Sequence, residues 1–167
     1  MSILMVKLLN NFMALTAKQK APSFNLPDQT GELHKLTDYN GKWLLLYFYP
    51  RDNTPGCAKE ACTIRDNFAD FKKNGVVVLG VSADSVDSHN NFASKYQLSF
   101  PILADIDRET IKAYGAWGMK KFMGKSFKGI KRISFLINPQ GKIAKVYDKV
   151  KPADHAQEVL NDIKALK

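Results

Sequence analysis

Residues 43–57 read WLLLYFYPRDNTPGC. Trp43 to Tyr49 is an unbroken apolar run of seven, short for a helix and bounded by Gly41 and Pro50. An apolar run without alternation is what a strand needs when both of its faces are covered, as in the middle of an α/β sheet. The polar segment Pro50–Thr54 then leads into a helix. Pro55 suits the first helical turn. Cys57, Ala61, Ile64, Phe68 and Phe71 recur at spacings of four, three, four and three, one stripe of an amphipathic helix over 54–73 that stops at Asn74-Gly75.

The same alternation of strand and helix continues outward from this unit. Upstream, Phe24–Lys35 predicts a small hairpin around Asp28-Gln29-Thr30-Gly31. Downstream, Val76–Val81 predicts a second buried strand and Ser85–Tyr96 a helix with Val86, Ala93 and Tyr96 facing the core. A short helix follows near Arg108–Tyr114. Ile133–Ile137 and Ile143–Tyr147 flank the turn Asn138-Pro139-Gln140-Gly141, and a last helix over 153–166 places Ala156, Leu160 and Ile163 on one face. Strands alternating with helices, closed by a hairpin and a helix, predict an α/β sandwich around a mixed sheet. There is no internal repeat and no linker.

Composition narrows the class. The chain has 167 residues, 45% hydrophobic and 25% charged, which excludes disordered and low-complexity classes. No apolar run approaches the roughly 18 residues of a membrane span, so no membrane partner is expected. Two cysteines exclude a disulfide-dense scaffold and a four-cysteine zinc site. Twenty-five Lys and Arg against sixteen Asp and Glu give a net charge of +9, which permits an anionic partner without naming one. At the N-terminus the apolar stretch Ile3–Leu9 is interrupted by Lys7, and no small-residue cleavage site follows. Residues 1–16 read as a dispensable extension, with Met13 as an alternative start, ahead of one domain over 17–167; a cytoplasmic location follows by default.

Polar groups just beyond the C-terminal end of a central strand are the usual place for a site in an α/β sheet. A cysteine in the first turn of a helix faces unpaired backbone N–H groups and the positive end of the helix dipole, and both favour thiolate, the reactive form. The plainer reading makes Cys57 a small buried hydrophobe on the helix stripe. Cys62, five residues on, lies about 7.5 Å along the axis and about 140° around it in an ideal helix. The two Cα atoms are then roughly 8–9 Å apart, beyond the roughly 7 Å reach of a disulfide. They can bond only if the helix start unwinds, which a helix end does cheaply. His34, His89 and His155 are scattered, read as solvated, and suggest no metal site.

From Thr110 to Tyr147 there is no Asp or Glu but nine Lys or Arg. Tyr114, Trp117, Phe122 and Phe127 alternate there with Gly115, Gly118, Gly124 and Gly129. Such a stretch can bind a nucleic-acid strand by phosphate pairing and base stacking. The alternative, taken here, is a solvated basic loop whose aromatics tuck onto the core, with no nucleic-acid partner. Arg132 stands apart from the lysines: it immediately precedes the Ile133 strand, where a guanidinium can point into a site and offer a fork of donors to a thiolate or oxygen.

Together these residues resemble the peroxiredoxins, thiol peroxidases with a thioredoxin-like fold. The signature is Pro50-x3-Thr54-x2-Cys57; the fuller stretch YFYPRDNTPGCAKEAC is similar to the bacterioferritin-comigratory-protein, or peroxiredoxin Q, type. VVVLGVSADSV, FPILAD, AYGAWG and KRISFLINPQGKI resemble that type in the same order, so the likeness covers about residues 17–167. It implies that Cys57 is the peroxidatic cysteine and Cys62 the resolving one. Thr54 would hydrogen bond to the thiolate and peroxide, Arg132 hold the thiolate charged and polarise the O–O bond, and Pro50 shield the site from water. Plainer roles for the last residues are a helix cap at Thr54 and a strand end at Pro50. Ser134 stands where threonine is common and keeps the hydroxyl. The resemblance further implies a hydroperoxide substrate, thioredoxin or a similar dithiol as reductant, no cofactor or metal, and a monomer or weak dimer. A general thiol-disulfide oxidoreductase would use the same cysteines without needing peroxide.

Overall fold

The first strand of the central sheet explains its own sequence. In the computed structural model, which describes residues 15–167, strand β3 (Trp43–Phe48) lies in the middle of five strands. Leu44, Leu46 and Phe48 face one apolar layer while Leu45, Tyr47 and Tyr49 face the other. Every residue from Leu44 to Tyr49 is buried, so the run could not alternate.

In chain order, β1 (Asn25–Pro27) and β2 (Leu33–Lys35) form the expected hairpin, and a 3₁₀ turn over Leu36–Tyr39 precedes β3. After β3 come α1 (Pro55–Asp66), α2 (Phe68–Lys73), β4 (Val76–Ser82), α3 (Val86–Tyr96), β5 (Ile102–Ala104) and α4 (Glu109–Ala113). The remaining elements are β6 (Trp117–Phe122), β7 (Lys125–Ile130), β8 (Ile133–Ile137), β9 (Ile143–Tyr147) and α5 (His155–Leu166). The sheet order is β5-β4-β3-β8-β9; β3, β4 and β5 run parallel, whereas β8 is antiparallel to both β3 and β9. This is the mixed sheet that the sequence predicts.

One layer packs α1, α2, α3 and α5 on the face of Leu45 and Tyr47, through Cys57, Ala61, Ile64, Phe71, Phe92, Val159 and Ile163. The other covers Leu44 and Leu46 with Phe24, Ile111, Tyr114 and Ile130. Tyr47 requires Gly80 opposite it: a Cβ there would lie 2.8 Å from the tyrosine ring.

Four expectations need correction. The helix expected over 54–73 is two helices, because Asn67 turns its backbone out of helical geometry while its amide side chain holds Thr63's carbonyl at 2.8 Å. In α3 Ala93 is buried and Tyr96 packs half-buried on the core as expected, but Val86 is not among the core contacts, and the principal buried residues are His89 and Phe92. The histidines are not solvated: His34, His89 and His155 are all buried and hydrogen bonded. The basic stretch is not a loop but the β6–β7 hairpin; of its aromatics Tyr114 is buried and Trp117 half-buried, but Phe122 and Phe127 are exposed. Most of the N-terminal extension lies outside the described residues; Leu15 packs against the second layer.

Candidate active site

The chain leaves β3 at Phe48 and enters α1 at Pro55, so the intervening turn stands at the C-terminal end of the central strand. That turn is pinned from below by Asp52, which is buried. Its carboxylate accepts from the Tyr49 hydroxyl (2.7 Å) and the Ser88 hydroxyl (2.8 Å), and pairs with His89 Nδ1 at 2.7 Å. The other ring nitrogen, Nε2, meets the Leu103 carbonyl at 2.9 Å. The Asp52 backbone N–H donates to Asp84, whose carboxylate also accepts from Ser82. Four residues, Tyr49, Asp84, Ser88 and His89, thus converge on one residue of the turn, and Asn53 beyond it takes a left-handed backbone, φ 60°.

Asp52, Asp84 and His89 lie close enough to suggest a cation site, as do Asp28, Glu32 and His34. The donors are already used. Both His89 nitrogens are engaged internally, and His34 bridges Asp28 and the Tyr39 hydroxyl. These clusters are staples of the turn and of the β1–β2 hairpin.

Cys57 is the third residue of α1, where backbone N–H groups lack intrahelical partners. Its side chain is buried at 2% exposure. Arg132, entering β8 on the other side of β3, directs Nη2 to Cys57 Sγ at 3.3 Å and Nη1 to Glu60 Oε1 at 3.5 Å. The approach depends on Gly56, since a Cβ there would come within 2.9 Å of Nη2. Burial opposes the guanidinium charge, but Glu60 and Cys57 beside it outweigh burial and hold its pKa above the ordinary value.

Glu60 is a site residue that the sequence reading missed. It follows Cys57 by one helical turn, so its carboxyl comes up on the same face. Burial pushes that carboxyl up to about 7, against the pull of Arg132. Its Oε2 and the neighbouring Tyr47 hydroxyl are buried without hydrogen-bond partners among the described residues.

The other expected residues are placed less directly. Thr54 is the N-cap of α1 by position, but its side chain makes no capping bond and instead donates to the Arg51 carbonyl at 2.9 Å. The plain capping role is therefore absent. Pro50 is half-buried just past the end of β3. Cys62 is half-buried within the unbroken α1, and both cysteines are free thiols. Ser134, buried on β8, meets His155 Nε2 at 2.8 Å, so its hydroxyl orients a side chain of α5.

Known proteins resemble this chain in sequence and in fold. Residues 17–146 match the AhpC/TSA family. Peroxiredoxin Bcp of Escherichia coli is 49% identical over 150 residues, covering 90% of this chain and 96% of that protein. Peroxiredoxin Bcp of Bacillus subtilis is 43% identical over 152 residues, covering 91% of this chain and 97% of its own. Among solved structures, a cysteine-to-serine variant of PrxQ from Xylella fastidiosa superposes with TM-score 0.85 at 35% identity over 92% of this chain and 98% of its own. The bacterioferritin comigratory protein of Xanthomonas campestris, solved in a study of its alkyl peroxide reduction, gives TM-score 0.81 at 38% identity over 86% of this chain and 91% of its own. The sheet and its flanking helices are therefore the thioredoxin-like fold of the peroxiredoxins, and the chain belongs to the AhpC/TSA family as a peroxiredoxin of the bacterioferritin-comigratory, or PrxQ, type.

Proposed function

We propose that the chain is a thiol-dependent peroxidase that reduces hydrogen peroxide and organic hydroperoxides through Cys57, carried by the domain over 17–167. The observation that carries this reading is the Arg132 guanidinium 3.3 Å from a buried cysteine sulfur in the first turn of a helix. Cys57 Sγ attacks the terminal peroxide oxygen; an S–O bond forms as the O–O bond breaks, and the departing RO⁻ takes a proton to leave as water or alcohol. Charge moves from sulfur to oxygen during this step. Arg132 already lies at the sulfur, the first turn of α1 offers N–H groups without intrahelical partners, and preorganised donors contribute most where charge develops. The Thr54 hydroxyl, which donates to the Arg51 carbonyl, keeps acceptor capacity for the peroxide O–H, and Pro50 screens the site from water.

Cys57 is left as a sulfenic acid. The first turns of α1 then unwind, Cys62 attacks the Cys57 sulfur, water departs, and an intramolecular disulfide forms. Thioredoxin or a similar dithiol restores both thiols by exchange. Single-turnover oxidation of the cysteine variants tests the scheme. Cys57→Ser is expected to abolish peroxide consumption. Cys62→Ser is expected to consume one equivalent and then stall with thioredoxin. Peroxide turnover by Cys57→Ser contradicts the assignment; normal recycling by Cys62→Ser removes Cys62 as resolver. Oxidation by oxidised glutathione but not by peroxide would instead indicate a general disulfide oxidoreductase.

A further inference from the structure

The β6–β7 hairpin lies outside the central sheet and pairs only with itself. Lys120, Lys121, Lys125, Lys128 and Lys131 lie on or beside it, and no acidic residue occurs between Thr110 and Tyr147. None of these lysines is in a salt bridge among the described residues; Lys120 is half-buried and donates to the Ile130 carbonyl, whereas Lys121, Lys125, Lys128 and Lys131 are exposed. Lysines on an unpaired strand edge are a common guard against edge-to-edge aggregation, and that purpose alone would account for them.

It does not account for the tip. Of the seven large apolar side chains that are exposed among the described residues, four belong to this hairpin: Met119, Phe122, Met123 and Phe127. Phe122 pairs with Lys125 across a two-residue turn, Met123-Gly124, whose φ angles are 51° and 78°. Both are positive, as in a type I′ turn, where Asn, Asp or Gly is the favoured first residue. An unbranched apolar side chain in that left-handed position is costly for the turn, and it stands 86% exposed. The sequence thus keeps methionine where asparagine would fold better.

We propose that this hairpin docks the protein on an anionic phospholipid surface, with Phe122 and Met123 entering the headgroup boundary and the lysines pairing with lipid phosphates. A protruding apolar tip flanked by cations suits an interface with apolar depth and negative charge. A nucleic-acid strand would favour a row of stacking faces, whereas the apolar group at this tip is a phenyl beside a thioether. The sequence reading expects no membrane partner; the tip argues for a peripheral one. No helix among the described residues is long and apolar enough to span a bilayer. The proposal does not rest on the peroxidase reading, because binding is measured without peroxide.

The test is co-sedimentation of the full chain with phosphatidylcholine vesicles, with and without about one third phosphatidylglycerol. Binding is expected only to the anionic vesicles and to weaken as salt rises. Replacing both tip residues, Phe122→Ser with Met123→Ser, removes apolar burial and is expected to lower partitioning about tenfold or more. Met123→Asn separates binding from folding: it is expected to keep or raise the melting temperature while still weakening partitioning. Reduction of hydrogen peroxide is expected to be unchanged in that variant. Absence of binding to anionic vesicles at low salt overturns the proposal, as does binding indifferent to both tip variants. Capture of single-stranded DNA or a polyglutamate peptide with no vesicle binding would overturn it in favour of a polyanionic partner.

Discussion

At the residue scale, one guanidinium serves two acceptors. Arg132 reaches both Cys57 and Glu60, so the protonation of Glu60 decides how much of the Arg132 charge remains for sulfur. A carboxyl raised by burial to about 7 is neutral in the folded chain while the unfolded chain, near 4.5, is already ionised. The folded state then binds the extra proton, and stability falls as pH rises from about 4.5 to 7, by up to about 1.4 kcal/mol per pH unit, and levels off above. Glu60→Gln is expected to remove that slope from a pH series of denaturant melts and to flatten any step near pH 7 in the Cys57 oxidation rate. An unchanged series would show that Glu60 does not titrate there. Gly56→Ala tests the approach of Arg132 itself: by displacing the guanidinium it is expected to slow peroxide reaction about tenfold or more, part of the roughly 10²–10³-fold that one preorganised donor supplies, with little loss of fold. A wild-type rate constant in stopped flow would mean that the guanidinium is not needed where it lies.

At the scale of elements, the turn between β3 and α1 is held by groups from α3 and from the loop before it, because Asp52 joins Ser88, His89 and Asp84 as well as its own neighbour Tyr49. His89→Phe keeps a ring but removes the two nitrogens that meet the buried Asp52 carboxylate and the Leu103 carbonyl. Breaking a buried pair from one side costs about 3–5 kcal/mol, a large part of the roughly 5–15 kcal/mol that a domain has. Denaturant unfolding is expected to show that loss, accompanied by slower oxidation of Cys57 as the turn loosens; unchanged stability would refute the role given to Asp52. The Pro50–Cys57 segment was legible in the sequence as a site because its strand, proline and cysteine are local signals. Asp52 and His89 were not, being 37 residues apart and joined only by folding. Glu60 sat one helical turn from Cys57, and the 3.6-residue period alone would have found it. The β6–β7 hairpin was missed for a different reason: its strands are exposed and lysine-rich, so the apolar alternation that marks a half-buried strand is weak.

At the scale of the whole molecule, the central sheet and its helices followed from a few apolar runs, since β3, β4 and β8 are covered on both faces and their sequences had no freedom to be otherwise. The same architecture brings Arg132 from β8 across β3 to the start of α1, which no local pattern encodes. It also leaves Cys62 inside an unbroken helix, so the proposed cycle requires the molecule to open that helix once per turnover. Intact mass of the reduced protein, taken before and after one equivalent of hydrogen peroxide without added thiol, tests this most directly. The account predicts rapid loss of two hydrogens, localised to a Cys57–Cys62 disulfide. An unchanged mass, with both thiols still free, would contradict it.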